Sequence, residues 1–422
     1  METITALESA RRRLEGTGGY RNLVNSSFRD AGLVFPERWY QAAWERWRTD
    51  PAYRADSRGG ATAREAVARW YRRDHAPVDP EDVLLTAGSS VSYLMLFTAL
   101  RRQGAGAVAL PQPGYPLFEE IAAAAGLTPQ WYHLEADQGF DLHARHLIAS
   151  LQVATRGESG PAGPLGAVVL ISPNNPSGAD YDPHQIELVA EFCREREILL
   201  IIDEVFSAFR QGAAPPPLSS SPAPPHPPGR PAGAFLLNGL SKLCAAPELK
   251  AGWIAAVHPN SRENAILDEV DLLHDTYLTL SGLGESAITT FLSEEARGDR
   301  EALAAEVKAM RHRTRSSLVQ LPGLRDLPPF HLTTPATPAT GNGGIHLLFR
   351  LDAEFCAERF GTVDDEQIAI QLLQRHRLYL HPGYLYGITQ QKSIDPWFVI
   401  TVLHREDTWR EMEGRLREAL GG

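Results

Sequence analysis

Phe235-Leu236-Leu237-Asn238-Gly239-Leu240-Ser241-Lys242 is the stretch on which the reading of this 422-residue chain turns: an apolar run that breaks into polar residues and reaches a lysine. Pro247-Glu248-Leu249-Lys250-Ala251-Gly252-Trp253 follows it. Two upstream runs end in the same way. Ala167-Val168-Val169-Leu170-Ile171 opens into Ser172-Pro173-Asn174-Asn175-Pro176-Ser177-Gly178, and Ile198-Leu199-Leu200-Ile201-Ile202 opens into Asp203-Glu204. Short unbroken apolar runs between polar breaks are the pattern of strands buried on both faces. Residues 83–85, 107–110, 167–171, 198–202, 235–237 and 253–257 fit it, with amphipathic helices such as 116–125 and 182–195 between them. That alternation predicts an α/β fold with a mainly parallel sheet between helices. Ligands of such sheets bind outside the carboxyl ends of the strands, which is where Asn175, Asp203 and Lys242 fall.

Beyond residue 259 the pattern changes. Residues 300–321 read as a helix long enough to bridge two domains, and strands at 345–349 and 397–402 alternate with helices at 364–376 and 408–419. The expected organisation is a large domain over residues 51–299 and a small α+β domain from residues 1–50 and 300–422. Residues 212–233 carry nine prolines and almost no large apolar side chains, so they read as a mobile insertion between two sheet strands.

A formal charge of −11 argues against an electrostatic nucleic-acid footprint, and the arginine clusters at 11–13 and 72–73 are diluted by nearby acids. Cys193, Cys244 and Cys356 have no paired spacing, so neither a disulfide framework nor a zinc site is expected. The histidines are scattered without metal-ligand spacing. No run approaches a membrane span and the first residues lack an apolar signal core, so a cytoplasmic protein is expected.

A strand-end lysine, carboxylate and amide are what an enzyme needs to hold pyridoxal phosphate. The lysine condenses with the aldehyde, the carboxylate pairs with the protonated pyridine nitrogen, and the amide bonds the phenolic oxygen. The order and spacing of these motifs resemble the fold-type I, class I/II aminotransferase superfamily over residues 22–420, as a divergent member. The resemblance implies a seven-stranded-type sheet and pyridoxal 5'-phosphate as cofactor. It makes Lys242 the catalytic residue and covalent anchor, Asp203 the pyridine partner and Asn175 the partner of the phenolic oxygen, with Asn174 a turn residue. Gly88, Ser89 and Ser90, at a helix start after a strand, would cradle the phosphate. Tyr115, in Pro113-Gly114-Tyr115-Pro116, would stack on the pyridine. Ser241 and Lys250 flank the anchor on the phosphate side. Tyr53 resembles the tyrosine that reaches the phosphate in the other subunit, which implies a homodimer with shared active sites. His381-Pro382-Gly383-Tyr384-Leu385-Tyr386-Gly387 resembles the turn that lines the substrate side.

Four positions depart from that family. Phe206 stands where most relatives have a tyrosine donating to the phenolic oxygen, so a donor is missing. Gly239 replaces a phosphate-binding serine. Lys250 replaces an arginine and loses its bidentate geometry. Val399 falls where the arginine for the substrate carboxylate is expected, leaving Arg29, Arg58 and Arg350 as substitutes. The implied activity is transfer of an amino group between an amino acid or amine and a 2-oxo acid. Elimination, cyclisation or oxidation on a specialised amino acid is the enzymatic alternative, and a non-catalytic ligand-sensing homologue is the alternative of another class.

Overall fold

The computed structural model describes residues 5–15, 19–50, 55–73, 78–155, 163–210, 230–278, 280–327, 343–388 and 394–421. Its strands are β1 Arg21–Asn22, β2 Val83–Thr86, β3 Ala107–Gln112, β4 Thr128–His133, β5 Leu165–Ile171, β6 Leu199–Asp203, β7 Ala234–Gly239, β8 Gly252–Ala256, β9 Leu324–Asp326, β10 His346–Leu351, β11 Leu378–Tyr379, β12 His381–Pro382 and β13 Trp397–Thr401.

A seven-stranded sheet in the order β2-β8-β7-β6-β5-β3-β4 forms the main layer. The pairings β3–β4, β3–β5, β5–β6 and β6–β7 are parallel, whereas β8 runs antiparallel to both of its neighbours. Apolar side chains feed both faces. Leu200 and Ile202 enter one core cluster while Leu199 and Ile201 enter the other, so successive residues of β6 face opposite helical layers. Full burial of each such side chain contributes about 1.5–3 kcal/mol. The seventh strand, β4, lacks the unbroken apolar signature because it lies at the sheet edge, with only Tyr132 buried.

A four-stranded antiparallel sheet, β12-β13-β10-β9, forms the second layer. The long helix Arg297–Leu318 precedes it, three residues earlier than the sequence pattern suggests. The N-terminal segment packs here. Arg21 pairs with Leu378, the Leu7 amide donates to Glu366 at 3.1 Å, and the Thr401 amide donates to the Leu23 carbonyl at 2.7 Å.

Three glycines bring the strand ends together. A Cβ on Gly239 would lie 2.7 Å from the Ala251 carbonyl oxygen, and one on Gly252 would lie 2.9 Å from the Gly88 Cα. Position 239 therefore has no room for a side chain in this chain.

Most of the proline-rich segment, residues 211–229, lies outside the described residues, but its end corrects the sequence reading. Arg230 is only 8% exposed and forms a forked ion pair with Glu204, at 2.7 and 3.3 Å, while its guanidinium lies 5.3 Å from the Tyr71 ring centre. Arg230 is thus packed into the body of the protein rather than part of a mobile insertion. Because Glu204 is 2% exposed, Arg230→Ala leaves a buried carboxylate without this partner. We expect that substitution to cost about 3–5 kcal/mol of stability in urea unfolding. An unchanged midpoint and slope would mean that Glu204 does not depend on Arg230.

Candidate active site

The carboxyl ends of β5, β6 and β7 are stitched to one another by the backbone. The Ser172 amide donates to the Asp203 carbonyl at 3.0 Å, and the Glu204 amide donates to the Leu237 carbonyl at 2.9 Å. Asp203 closes β6 with its carboxylate buried at 7% exposure. Its oxygens accept from the Val205 amide at 3.0 Å and from the Tyr93 hydroxyl at 2.9 Å. Burial outweighs both bonds and pushes the Asp203 carboxyl up to about 6. Tyr93, on the helix Ser89–Arg102, is a site residue that the sequence reading missed. It lies within an apolar helical run, and no local signal tells that its hydroxyl meets a carboxylate 110 residues away.

Lys242 lies in the one-turn helix Leu240–Leu243 directly after β7, beside the half-buried Ser241. Its Nζ is 5.8 Å from the Phe28 ring centre, and among the described residues no carboxylate pairs with it. Burial lowers the Lys242 pKa below the usual lysine range, and the charge of Lys250 lowers it further. Lys250 itself is exposed, with a left-handed φ of 48°. Phe206 is buried and packs edge-on against His346, with ring centres 5.8 Å apart.

In the loop after β5, Asn174 is consumed by local structure. Its side chain donates to Pro113 and Tyr181 and accepts from the Ser177 hydroxyl at 2.8 Å. Asn175 differs: its Oδ1 is buried and has no hydrogen-bond partner among the described residues. A buried, unsatisfied acceptor costs about 1–3 kcal/mol, so it marks a place where a donor is missing. Across the edge, Gly88 caps the helix Ser89–Arg102 with a φ of 99°, and no side chain bonds the first helical amides. The amides at Ser89 and Ser90 thus leave a positive helix end suited to an anion.

Tyr115 follows β3 and meets Phe118 edge-on, with ring centres 5.6 Å apart. The Gly114 amide donates to the Tyr386 carbonyl at 3.1 Å, which joins this turn to the small-sheet turn 381–387. A Cβ on Gly387, whose φ is 79°, would lie 2.9 Å from the Gln112 side chain, so the two turns touch. Tyr53 lies outside the described residues.

Val399 is fully buried in β13, paired with Leu348 on one side and His381 on the other. Of the three substitute arginines, two are committed elsewhere. Arg58 bonds Asp271 at 2.8 Å and Asp268 at 2.9 Å, and Arg350 pairs with Asp326 and lies 5.1 Å from the Trp397 ring centre. Arg29 is exposed on the segment next to Phe28. One sheet edge thus gathers a desolvated amine, a buried carboxyl group, an unpaired amide oxygen and an uncapped helix end. That set complements a ligand with an electrophilic carbon, a cationic ring nitrogen, a hydrogen-bonding group and an anionic tail. Among the described residues no cluster of metal-ligand type occurs, and no helix is long and apolar enough to cross a membrane.

Comparison with known proteins agrees with this architecture. The family model described as aminotransferase class I and II matches residues 30–415. An alanine aminotransferase of Mycobacterium tuberculosis is 26% identical over 332 residues, covering 78% of this chain and 70% of that protein. An S-alkyl-thiohydroximate lyase of Arabidopsis thaliana is 27% identical over 345 residues, covering 81% of this chain and 66% of the lyase. Among solved structures, a mutant aspartate aminotransferase of Thermus thermophilus superimposes with a TM-score of 0.78 at 20% identity, covering 100% of this chain and 97% of the other. An alanine aminotransferase of Pyrococcus furiosus gives a TM-score of 0.79 at 19% identity, covering 99% and 96%.

Proposed function

This chain belongs to the class I and II aminotransferase family, and on that premise we propose that it moves an amino group between an amino acid or amine and a 2-oxo acid, with pyridoxal 5'-phosphate as cofactor. The observation that carries the reading is the unpaired, desolvated Lys242 amine at the strand-end edge that also holds Asp203 and the orphaned Asn175 oxygen. Bound there, pyridoxal phosphate supplies an aldehyde for capture of amines and a ring that delocalises electrons.

The chain's own residues have separable tasks in this proposal. Lys242 anchors the cofactor and moves a proton at the substrate α-carbon, which its lowered pKa favours by raising the neutral fraction. Asp203 pairs with the ring nitrogen while Tyr93 and Val205 fix its orientation. Asn175 donates from its amide NH2 to the phenolic oxygen, and Tyr115 covers the ring. Gly88, Ser89, Ser90, Ser241 and Lys250 hold the phosphate. Phe206 borders the cofactor without a hydroxyl to offer. The enzyme works as a homodimer with shared active sites. Exposed Trp44 and Trp47, at 48% and 41%, supply apolar surface for such an assembly.

Val399 bears on the substrate. A bidentate arginine–carboxylate pair contributes several kcal/mol when buried, and one or two methylene contacts, at about 1–3 kcal/mol, do not replace it. We therefore expect weak saturation with alanine, aspartate and glutamate. The test is a half-reaction: holoenzyme mixed with an amino donor and no acceptor should accumulate pyridoxamine phosphate, one per site. Release of ammonia with the cofactor returned unchanged would reject transamination. It would favour the elimination reading, towards which the similarity to a protein named as a lyase points.

A further inference from the structure

Residues paired across a sheet share a face, so the pairings His346–Thr401, Leu348–Val399 and His381–Val399 put His346, His381 and Val399 on one face of the small sheet. Lys242 lies within electrostatic reach of His346. The two imidazoles differ in their commitments. His381 is engaged at both nitrogens, with the Tyr386 hydroxyl at 3.2 Å and the Tyr379 hydroxyl at 3.3 Å. His346 is clamped between the Phe206 and Tyr386 rings, 5.8 and 6.3 Å away, yet no side-chain hydrogen bond of His346 forms among the described residues. Phe206 packs on His346, and Phe28 lies 5.8 Å from the Lys242 Nζ.

We propose that His346 is the specificity-determining residue of this site, and that it hydrogen-bonds an uncharged carboxamide or hydroxyl at the end of the amino donor where relatives receive a carboxylate. The inference rests on the transaminase reading above. Burial keeps the imidazole neutral, holding its pKa at about 3, with the charges of Lys242, Arg311 and His381 acting in the same direction. Arg311 is 1% exposed and donates to the backbone carbonyls of Gly344 and His346. A carboxylate placed against the His346 imidazole would give up its hydration for one neutral N–H, whereas an amide or hydroxyl gives up far less.

A matched series tests this: alanine, alaninamide and 2-aminopropan-1-ol share one skeleton and differ at the recognised end. With holoenzyme, kcat/KM for alaninamide or 2-aminopropan-1-ol should exceed that for alanine at least tenfold. His346→Leu should bring the ratio to near one, chiefly through KM, and His346→Gln should restore it. Calorimetry with unreactive propionamide and propionate should show the same preference in the wild-type holoenzyme, and decides the matter if the leucine variant does not fold. Preference for alanine or propionate in the wild type, or an unchanged ratio in a folded leucine variant, overturns the proposal. The half-reaction separates this failure from failure of the transaminase reading, because accumulation of pyridoxamine phosphate keeps that reading alive whichever donor is preferred.

Discussion

Lys242→Ala protein is expected to lose turnover and, with it, any covalent attachment of the cofactor. A positioned proton-transfer group alone accounts for roughly 10²–10⁴ in rate, and loss of the anchor adds to that. The physical basis is the state of the amine. Nζ is desolvated beside Phe28, and both burial and the Lys250 charge lower its pKa, so a larger neutral fraction is available for nucleophilic attack. Hydride reduction of the wild-type holoenzyme should fix the cofactor to the peptide that contains Lys242, and mass mapping reads the position directly. A label on another lysine, or an alanine variant that turns over normally, sinks the assignment.

Asp203→Ala should have the second-largest effect, a fall in turnover of roughly two to four orders of magnitude. That range corresponds to the loss of a buried charge pair worth about 3–5 kcal/mol. Catalysis should fall further than cofactor affinity, since the phosphate and Lys242 contacts remain. The carboxyl also reports through stability. With its pKa raised from 3.8 to about 6 by burial, cofactor-free native protein holds a proton there that the unfolded chain has released. The contribution of this group is therefore fully present below 3.8 and is lost as pH rises through about 6. A cationic ring nitrogen beside it would lower the pKa and remove that loss. Unfolding curves of the cofactor-free protein and of Asp203→Asn across this window should differ in slope, and coincident slopes would remove Asp203 from the titration.

The candidate site was legible where its chemistry coincides with strand ends. Asn175, Asp203 and Lys242 each terminate a run that must be buried on both faces, and a polar residue at such an end faces either solvent or a ligand. Asn174 is spent on Ser177 and Tyr181 in its own loop and on the Pro113 carbonyl beyond it. Arg58 and Arg350 were not readable as spent, since their acidic partners lie far away in sequence or on an adjacent strand. Arg230 escaped for a related reason. Its proline-rich surroundings hide a buried ion pair with Glu204, 26 residues earlier.

The amino-acid sequence by itself determined the α/β class, the six apolar strands and the strand-end placement of Lys242, Asp203 and Asn175, because hydrophobic periodicity and polar breaks act over a few residues. Only the tertiary structure decided that β4 closes the sheet edge, that Tyr93 holds Asp203, and that His346 and His381 flank Val399 on one face. Those relations join residues tens to hundreds of positions apart, and they are fixed by strand pairing and close packing rather than by any local preference.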